Sequence, residues 1–289
     1  MSFIQYLRDE LGKIKMLSFT SEYSEEAKSS FNDKETLLSS EEHSKLSQED
    51  LGNVLVDSES TIRWYFSYLS NHAKMTSLGL LVKMLYERLK NENALQGGNC
   101  LKTGEFTATG GIASFGAGPC VLEYFLASMI PDMKVYACDY DSFMVDNAQR
   151  QFHNITTSRF DFYKDDVSSY IRENDIRFVV MFGSSCSMDD DKYTEFLSEL
   201  HNSQVECVIT FEAGMSSRSE MMKLRLITLC YCVKHYFLVR DNKQLRTGCL
   251  HAYTRTKSEF MRIYKKSGWK FHELDRSLQA YPLISLLTR

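Results

Sequence analysis

The apolar residues of this chain change their spacing near residue 110. Before that point the pattern is helical. Phe3, Leu7, Leu11 and Ile14 fall on one face of a helix over residues 3–17. Ile62, Tyr65, Phe66 and Leu69 mark a second helix, and Ser77 through Leu81, Met84, Leu85 and Leu89 a third. Residues 18–49 are rich in Ser, Glu, Lys and Asp and read as a polar linker or a set of short exposed helices. Ser47-Gln-Glu-Asp50 has the residue types of a helix start. The polar, glycine-containing ENALQGGN closes this region, so residues 1–100 are expected to form a mainly helical cap with a polar linker.

From residue 101 onward, short apolar runs alternate with helical patterns. Strands are expected at Ile112–Phe115, Val135–Asp139, Phe160–Tyr163, Phe178–Phe182 and Glu206–Phe211. Helices are expected at Val121–Met129, Met144–Phe152, Ser169–Asn174 and Tyr193–Leu200. Strands separated by helices of this size imply right-handed crossovers and a doubly wound, mostly parallel sheet. Residues 215–250 interrupt the alternation as an insert, with 216–241 favoured as helix over a strand at 224–233. Thr256 and Glu259 form a capping box that opens a helix ending at Gly268. Trp269–Leu274 and Ala280–Leu287 have no helix between them, which predicts an antiparallel C-terminal hairpin. The expected class is α/β: a doubly wound seven-stranded sheet over residues 101–289, with the N-terminal helical cap in front.

The stretch Gly110–Asp141 carries the candidate chemistry. Its first strand breaks at Gly116-Ala-Gly118-Pro-Cys, a helix follows, and the next strand stops at Asp139. Glycines there let the backbone approach a ligand through dihedrals closed to other residues. The start of the helix turns free N–H groups and a positive dipole end into the same space. An acid about 20 residues later, at the end of the neighbouring strand, is placed to accept hydrogen bonds from both hydroxyls of a ribose.

Composition narrows the partners more than the chemistry. The 289 residues carry a net charge of −4 with basic residues scattered, so no basic footprint argues for nucleic acid. The first fifteen residues have no signal-peptide core, and no apolar run reaches membrane-spanning length. The eight cysteines lie mostly in apolar segments without C-x-x-C pairing. They read as reduced core residues of a cytoplasmic protein rather than a disulfide frame or zinc site.

With these features the chain resembles a class I S-adenosylmethionine-dependent methyltransferase over roughly residues 107–289. The resemblance rests on Phe115-Gly-Ala-Gly-Pro, on Asp139, on Asp166 in Lys-Asp-Asp-Val, on the FVVMFGSS strand exit, and on the closing helix and hairpin. It implies S-adenosyl-L-methionine as cofactor, with Phe115, Gly116, Ala117 and Gly118 lining its methionine and ribose side. Asp139 would hold the ribose hydroxyls and Tyr140 would pack on the adenine. Asp166, beside Val167, would meet the adenine amine, and Phe182 and Ser184 would lie close by. Two positions depart from the family pattern. Ser114 stands where an acid is often found two residues before the first glycine, and Cys120 replaces the third glycine.

Methyl transfer asks the protein chiefly to hold an acceptor in line with the sulfonium methyl group. A general base is needed only for an acceptor whose proton has a high pKa. Glu212, His72 and Tyr68 are the candidates for that role, with Tyr65, Tyr231, His235 and Tyr236 behind them. The strand exit is Phe-Gly-Ser-Ser, not the Asn/Asp-Pro-Pro-Tyr of amino-methylating DNA enzymes. The paired-glutamate hairpin of protein arginine methyltransferases is also missing, and Pro119-Cys120 lies in the cofactor loop, so a small-molecule acceptor is expected.

Structural readings compete at several positions. Asp166 would serve equally as a helix cap, and Asp189-Asp-Asp191 reads better as a solvated helix start than as a metal site. The histidines are isolated, and Trp64-Tyr65-Phe66 reads as packing of the cap. No metal is expected, and the oligomeric state is not legible. Three functions remain open: methyl transfer to a small molecule, a degenerate methyltransferase fold kept as a binding or scaffold module, and a nicotinamide-dependent oxidoreductase.

Overall fold

The computed structural model describes residues 16–19, 40–68, 110–131, 133–212, 219, 250–253, 255–273 and 283–289. Strand β1 (Met16–Phe19) comes first, then helices α1 (Ser40–Leu51) and α2 (Ser58–Tyr68). The alternating part runs β2 (Gly111–Phe115), α3 (Val121–Met129), β3 (Val135–Asp139), α4 (Ser142–Gln151), β4 (Thr156–Arg159) and α5 (Val167–Glu173). It continues with β5 (Ile176–Phe182), a 3₁₀ turn at Ser184–Ser187, α6 (Asp190–Asn202) and β6 (Cys207–Glu212). Strand β7 (Leu250–Tyr253), helix α7 (Lys257–Lys266), β8 (Lys270–Glu273) and β9 (Leu283–Thr288) complete the chain.

Seven strands form one sheet in the order β4-β3-β2-β5-β6-β9-β8. The five strands from β4 to β6 pair in parallel. Strand β9 inserts between β6 and β8 and runs antiparallel to both, with Phe211 opposite Ile284 and Phe271 opposite Leu287. The expected sheet and terminal hairpin are therefore present. The chain reverses between β2 and β5, where one crossover leaves toward β3 and the next returns past it, so the carboxyl ends of these strands border a crevice.

Central strands are buried on both faces, and alternation along each decides which layer a side chain joins. Ala113, Phe115, Val179, Met181 and Val208 enter the core shared with α5, α6 and α7. Ile112, Phe178, Val180, Ile209 and Phe211 enter the opposite layer with Leu122 and Leu126 of α3. Tyr65 of α2 packs against that second layer, and Leu51 and Leu55 meet Met144 of α4.

Two expectations change, and two others hold. The third parallel strand is Thr156–Arg159, not Phe160–Tyr163. It is a polar edge strand, while Phe160 is buried just past its end, edge-on to Phe115 at 4.9 Å. The apolar run marked the core plug that follows the strand rather than the strand itself. Met16 and Leu17, expected to close a helix, lie in β1, which pairs antiparallel with β7 (Met16 opposite Tyr253), a strand the polarity pattern did not reveal. Asp189 caps α6 through the Lys192 amide, so that acidic run is a helix start. The capping box at Thr256 and Glu259 is formed. The third cap helix and the favoured helix at 216–241 lie outside the described residues, apart from helical Ser219.

Candidate functional site

The site is built where β2 turns into α3. Gly116 and Gly118 have φ of 76° and 53°, the left-handed region that glycine enters without strain. The amides of Gly116 and Ala117 both donate to the Cys138 carbonyl, at 2.8 and 3.0 Å, which ties the turn to β3. The two glycines serve different needs. A Cβ on Gly116 would lie 2.3 Å from the Cβ of Ser184, so this glycine lets the exits of β2 and β5 touch. A Cβ on Gly118 would meet nothing within 4 Å, so that backbone faces open space.

Asp139 closes the other side. One carboxylate oxygen accepts the Gly118 amide at 2.7 Å and the other accepts the Asp141 amide at 3.0 Å. The bare backbone of the turn and the acid at the end of β3 thus meet in one place. The cap reaches the same edge: Ser47 donates to Asp141 at 2.5 Å, and Ser44 accepts from the Ser142 amide at 2.8 Å. Tyr140 lies between these contacts, half-buried.

Across the crevice, β5 ends at Phe182, which stacks on Phe211 with centroids 4.6 Å apart. Gly183 turns the chain with φ of 72°, and the Ser184 hydroxyl oxygen is buried without a hydrogen-bond partner. The next residue is gripped from two sides. The Ser185 hydroxyl donates to Glu212, and its carbonyl accepts from the buried Arg255 at 2.9 Å. Arg255 also donates to the Met188 carbonyl and pairs with Asp190 at 2.9 Å.

The chain is similar to solved S-adenosylmethionine-dependent methyltransferases. No family model matches it, and no curated protein matches it. Magnesium protoporphyrin IX methyltransferase from Synechocystis, with bound S-adenosylhomocysteine, aligns at 14% identity and a TM-score of 0.41 over 73% of this chain and 82% of that one. Human N-acetylserotonin methyltransferase, in complex with S-adenosylmethionine, aligns at 13% and 0.44 over 87% of this chain and 62% of that one. A TehB-like methyltransferase from Corynebacterium glutamicum aligns at 14% and 0.42 over 72% and 98%.

Of the expected cofactor residues, Gly116, Ala117, Gly118 and Asp139 come together, with Phe182 and Ser184 at the β5 exit on the far side of Gly116. Three others do not present side chains to this place. Phe115 points into the core shared with α5, α6 and α7, its ring centroid 5.3 Å from that of Phe196, so only its backbone borders the turn. Val167 is buried in that same core. Asp166 is exposed and caps α5, accepting from the Ser169 hydroxyl at 2.7 Å and amide at 3.2 Å. Those bonds hold its carboxyl below the usual range. The capping role competes with the expected adenine contact at Asp166. Phe160 and Asp161 follow β4 directly, and the Phe160 amide donates to the Asp139 carbonyl at 2.8 Å.

Glu212 is not placed as a base. It is fully buried, and besides Ser185 it accepts from Tyr193 at 2.9 Å and Tyr264 at 2.7 Å. Three hydroxyls occupy its two oxygens, and burial together with this carboxylate pushes both tyrosines well up. Tyr68 ends α2, and His72, Tyr231, His235 and Tyr236 lie outside the described residues.

One residue was missed. Glu123, in the first turn of α3, is buried beneath the turn and accepts the Ser114 hydroxyl at 2.5 Å. Its other oxygen has no partner. Burial pushes its carboxyl up from the usual 4.5 to about 7, with the Asp139 charge adding to the rise. The signal in the sequence was an acid on an otherwise apolar helix start, VLEYFL, nine residues past a serine in a buried strand.

The four described cysteines, Cys120, Cys138, Cys186 and Cys207, are unpaired thiols. Burial raises each of them, Cys186 to about 11 and Cys138 to about 12, so none is poised as a thiolate. Among the described residues no helix is long and apolar enough to cross a membrane.

Proposed function

We propose that this protein transfers a methyl group from S-adenosyl-L-methionine to a small-molecule acceptor. The observation that carries the reading is the Gly118 amide held against the Asp139 carboxylate at 2.7 Å with open space over the glycine. That geometry fits the cofactor on its own terms: a backbone free of Cβ atoms, an acid at the adjoining strand end, and an orphaned Ser184 hydroxyl across the turn. Asp139 would hold the ribose hydroxyls, Tyr140 would pack on the adenine, and the β5 exit at Phe182 and Ser184 would border the reacting end. The bound cofactor supplies a methyl group on a sulfonium, which needs an acceptor in line but no covalent help from the protein.

The sheet order supports this reading over the nicotinamide one. A dinucleotide fold of the doubly wound type continues in parallel through its sixth strand, whereas here an antiparallel β9 separates β6 from β8. With Glu212 enclosed, an acceptor that carries a labile proton takes its base from the cap or the insert. Residues 60–90 and 215–250 are the substrate-facing parts in this proposal, and the buried free thiols fit a cytoplasmic setting. A net charge of −4, with basic residues scattered along the sequence, favours a small acceptor over nucleic acid.

Calorimetry with S-adenosylmethionine, S-adenosylhomocysteine and NAD tests the reading. Tight binding of the two sulfur ligands with weak NAD binding supports it. Preference for NAD would replace it with the oxidoreductase, and no binding of any would leave a scaffold module.

A further inference from the structure

In the fold the Glu123 side chain serves as acceptor for the Ser114 hydroxyl, a bond that does not need its charge. It is 1% exposed, one oxygen accepts the Ser114 hydroxyl, its own backbone N–H lies near enough to favour the charged form, and the other oxygen makes no hydrogen bond of normal geometry. Leaving a buried carboxylate oxygen unpaired is costly. Apolar packing would avoid that cost and a glutamine would at least carry no charge, so the acid points to a ligand.

Its position says which kind. Ser114 lies two residues before Gly116 on the layer that α3 covers, so the Glu123 carboxyl sits directly under the glycine turn. The charged groups facing it are acidic. Asp139 at the end of β3 raises it electrostatically, while Glu123 in turn raises the Cys120 thiol at the helix start and the Cys138 thiol in β3. Among the described residues no basic group enters this balance. Two carboxyls around one open turn repel each other, which a proton or a cation relieves and a neutral ligand does not.

We propose that Glu123 is the counter-charge for the cationic arm of the cofactor. This rests on the reading of the turn as an S-adenosylmethionine site. The arm carries two positive groups, the sulfonium and the α-ammonium, and either would give the unpaired oxygen its partner. Ser114 then holds the carboxyl in place, and the acid two residues before the first glycine is replaced by one that arrives from the helix. Because the carboxyl must be ionised to act, binding weakens as pH falls through about 7.

The test is calorimetry on the whole chain at pH 6 and pH 8 with three ligands. S-adenosylmethionine carries both cations, S-adenosylhomocysteine only the ammonium, and 5′-methylthioadenosine neither. The wild-type protein should bind S-adenosylmethionine about tenfold more weakly at pH 6 than at pH 8, following the ionised fraction of Glu123. Methylthioadenosine should bind alike at both. Glu123→Gln should lose about tenfold at pH 8 for the cationic ligands, lose the pH dependence, and keep methylthioadenosine affinity. Loss for both cationic ligands points to the ammonium and loss for S-adenosylmethionine alone to the sulfonium; both outcomes support the proposal. An equal loss for methylthioadenosine would overturn it, because the residue would then only support the turn. A flat wild-type pH profile would overturn it without any variant. If none of the three ligands binds folded wild-type protein, the cofactor reading itself fails and the inference goes with it.

Discussion

A Cβ built on Gly116 would lie 2.3 Å from the Cβ of Ser184, while one built on Gly118 would touch nothing. The two glycines of one turn therefore separate a folding requirement from a binding one. Gly116→Ala should destabilise the protein by about 2–5 kcal/mol, from the left-handed backbone and the forced contact together. Adding Ser184→Gly should recover part of that loss, the part due to contact. Gly118→Ala should cost only about 1–2 kcal/mol of stability yet weaken cofactor binding, since its methyl group enters the open space. Urea unfolding and calorimetry on the three variants read the difference. Equal stability losses for the two single variants would contradict the packing of the turn.

Asp139 offers a more direct probe of the pocket. Its carboxylate is held by the Gly118 and Asp141 amides and is the group proposed to receive the ribose hydroxyls. Asp139→Ala should weaken S-adenosylhomocysteine by about 1.5–3 kcal/mol, the value of hydrogen bonds to a charged acceptor. Unchanged affinity in a folded variant would place the nucleoside elsewhere.

The burial of Glu212 separates support from catalysis. Three hydroxyls, from Ser185, Tyr193 and Tyr264, depend on it, and Arg255 holds the Ser185 carbonyl from the other side. Glu212→Ala should destabilise by roughly 3 kcal/mol or more, because several buried hydroxyls lose their acceptor at once. Glu212→Gln keeps acceptors for the tyrosines and should fold with a smaller loss. Its turnover should stay near wild type, whereas removal of a true general base would lower it by about 100-fold or more. A fall of that size in a stable Glu212→Gln variant would restore the catalytic role.

What the sequence made legible was whatever local periodicity and a contiguous motif encode. The parallel strands of the sheet interior are continuous apolar runs, and the glycine turn and Asp139 share one βαβ unit, so both could be read directly. Strand β4 could not, because Thr156–Arg159 is an edge with little apolar surface and the conspicuous Phe160 belongs to the core beyond it. The pairing of Met16–Phe19 with Leu250–Tyr253 joins segments more than two hundred residues apart and leaves no local trace. The same holds for side-chain direction. Glu212 at a strand end had the look of an exposed base, and only the alternation of β6 against α6 and α7 turns it inward. The Ser114–Glu123 pair is a contact between a strand and the helix after it, so two unremarkable positions become one buried feature only in three dimensions.

That buried acid predicts a pH dependence of stability opposite to the usual carboxylate. The folded protein raises Glu123 from 4.5 to about 7, so folding favours the protonated form. The contribution is fully present below pH 4.5 and is lost as pH rises through about 7. Between pH 5 and pH 8 this group alone should remove about 2 kcal/mol from the ligand-free protein. Glu123→Gln keeps an acceptor for the Ser114 hydroxyl and has no charge to bury. Its stability relative to wild type should therefore rise across that interval by about the same 2 kcal/mol, which cancels the titrations common to both proteins. Urea unfolding at the two pH values measures it. A constant difference between variant and wild type would mean that the Glu123 carboxyl is already ionised in the resting fold, with a cation or a water beside its second oxygen.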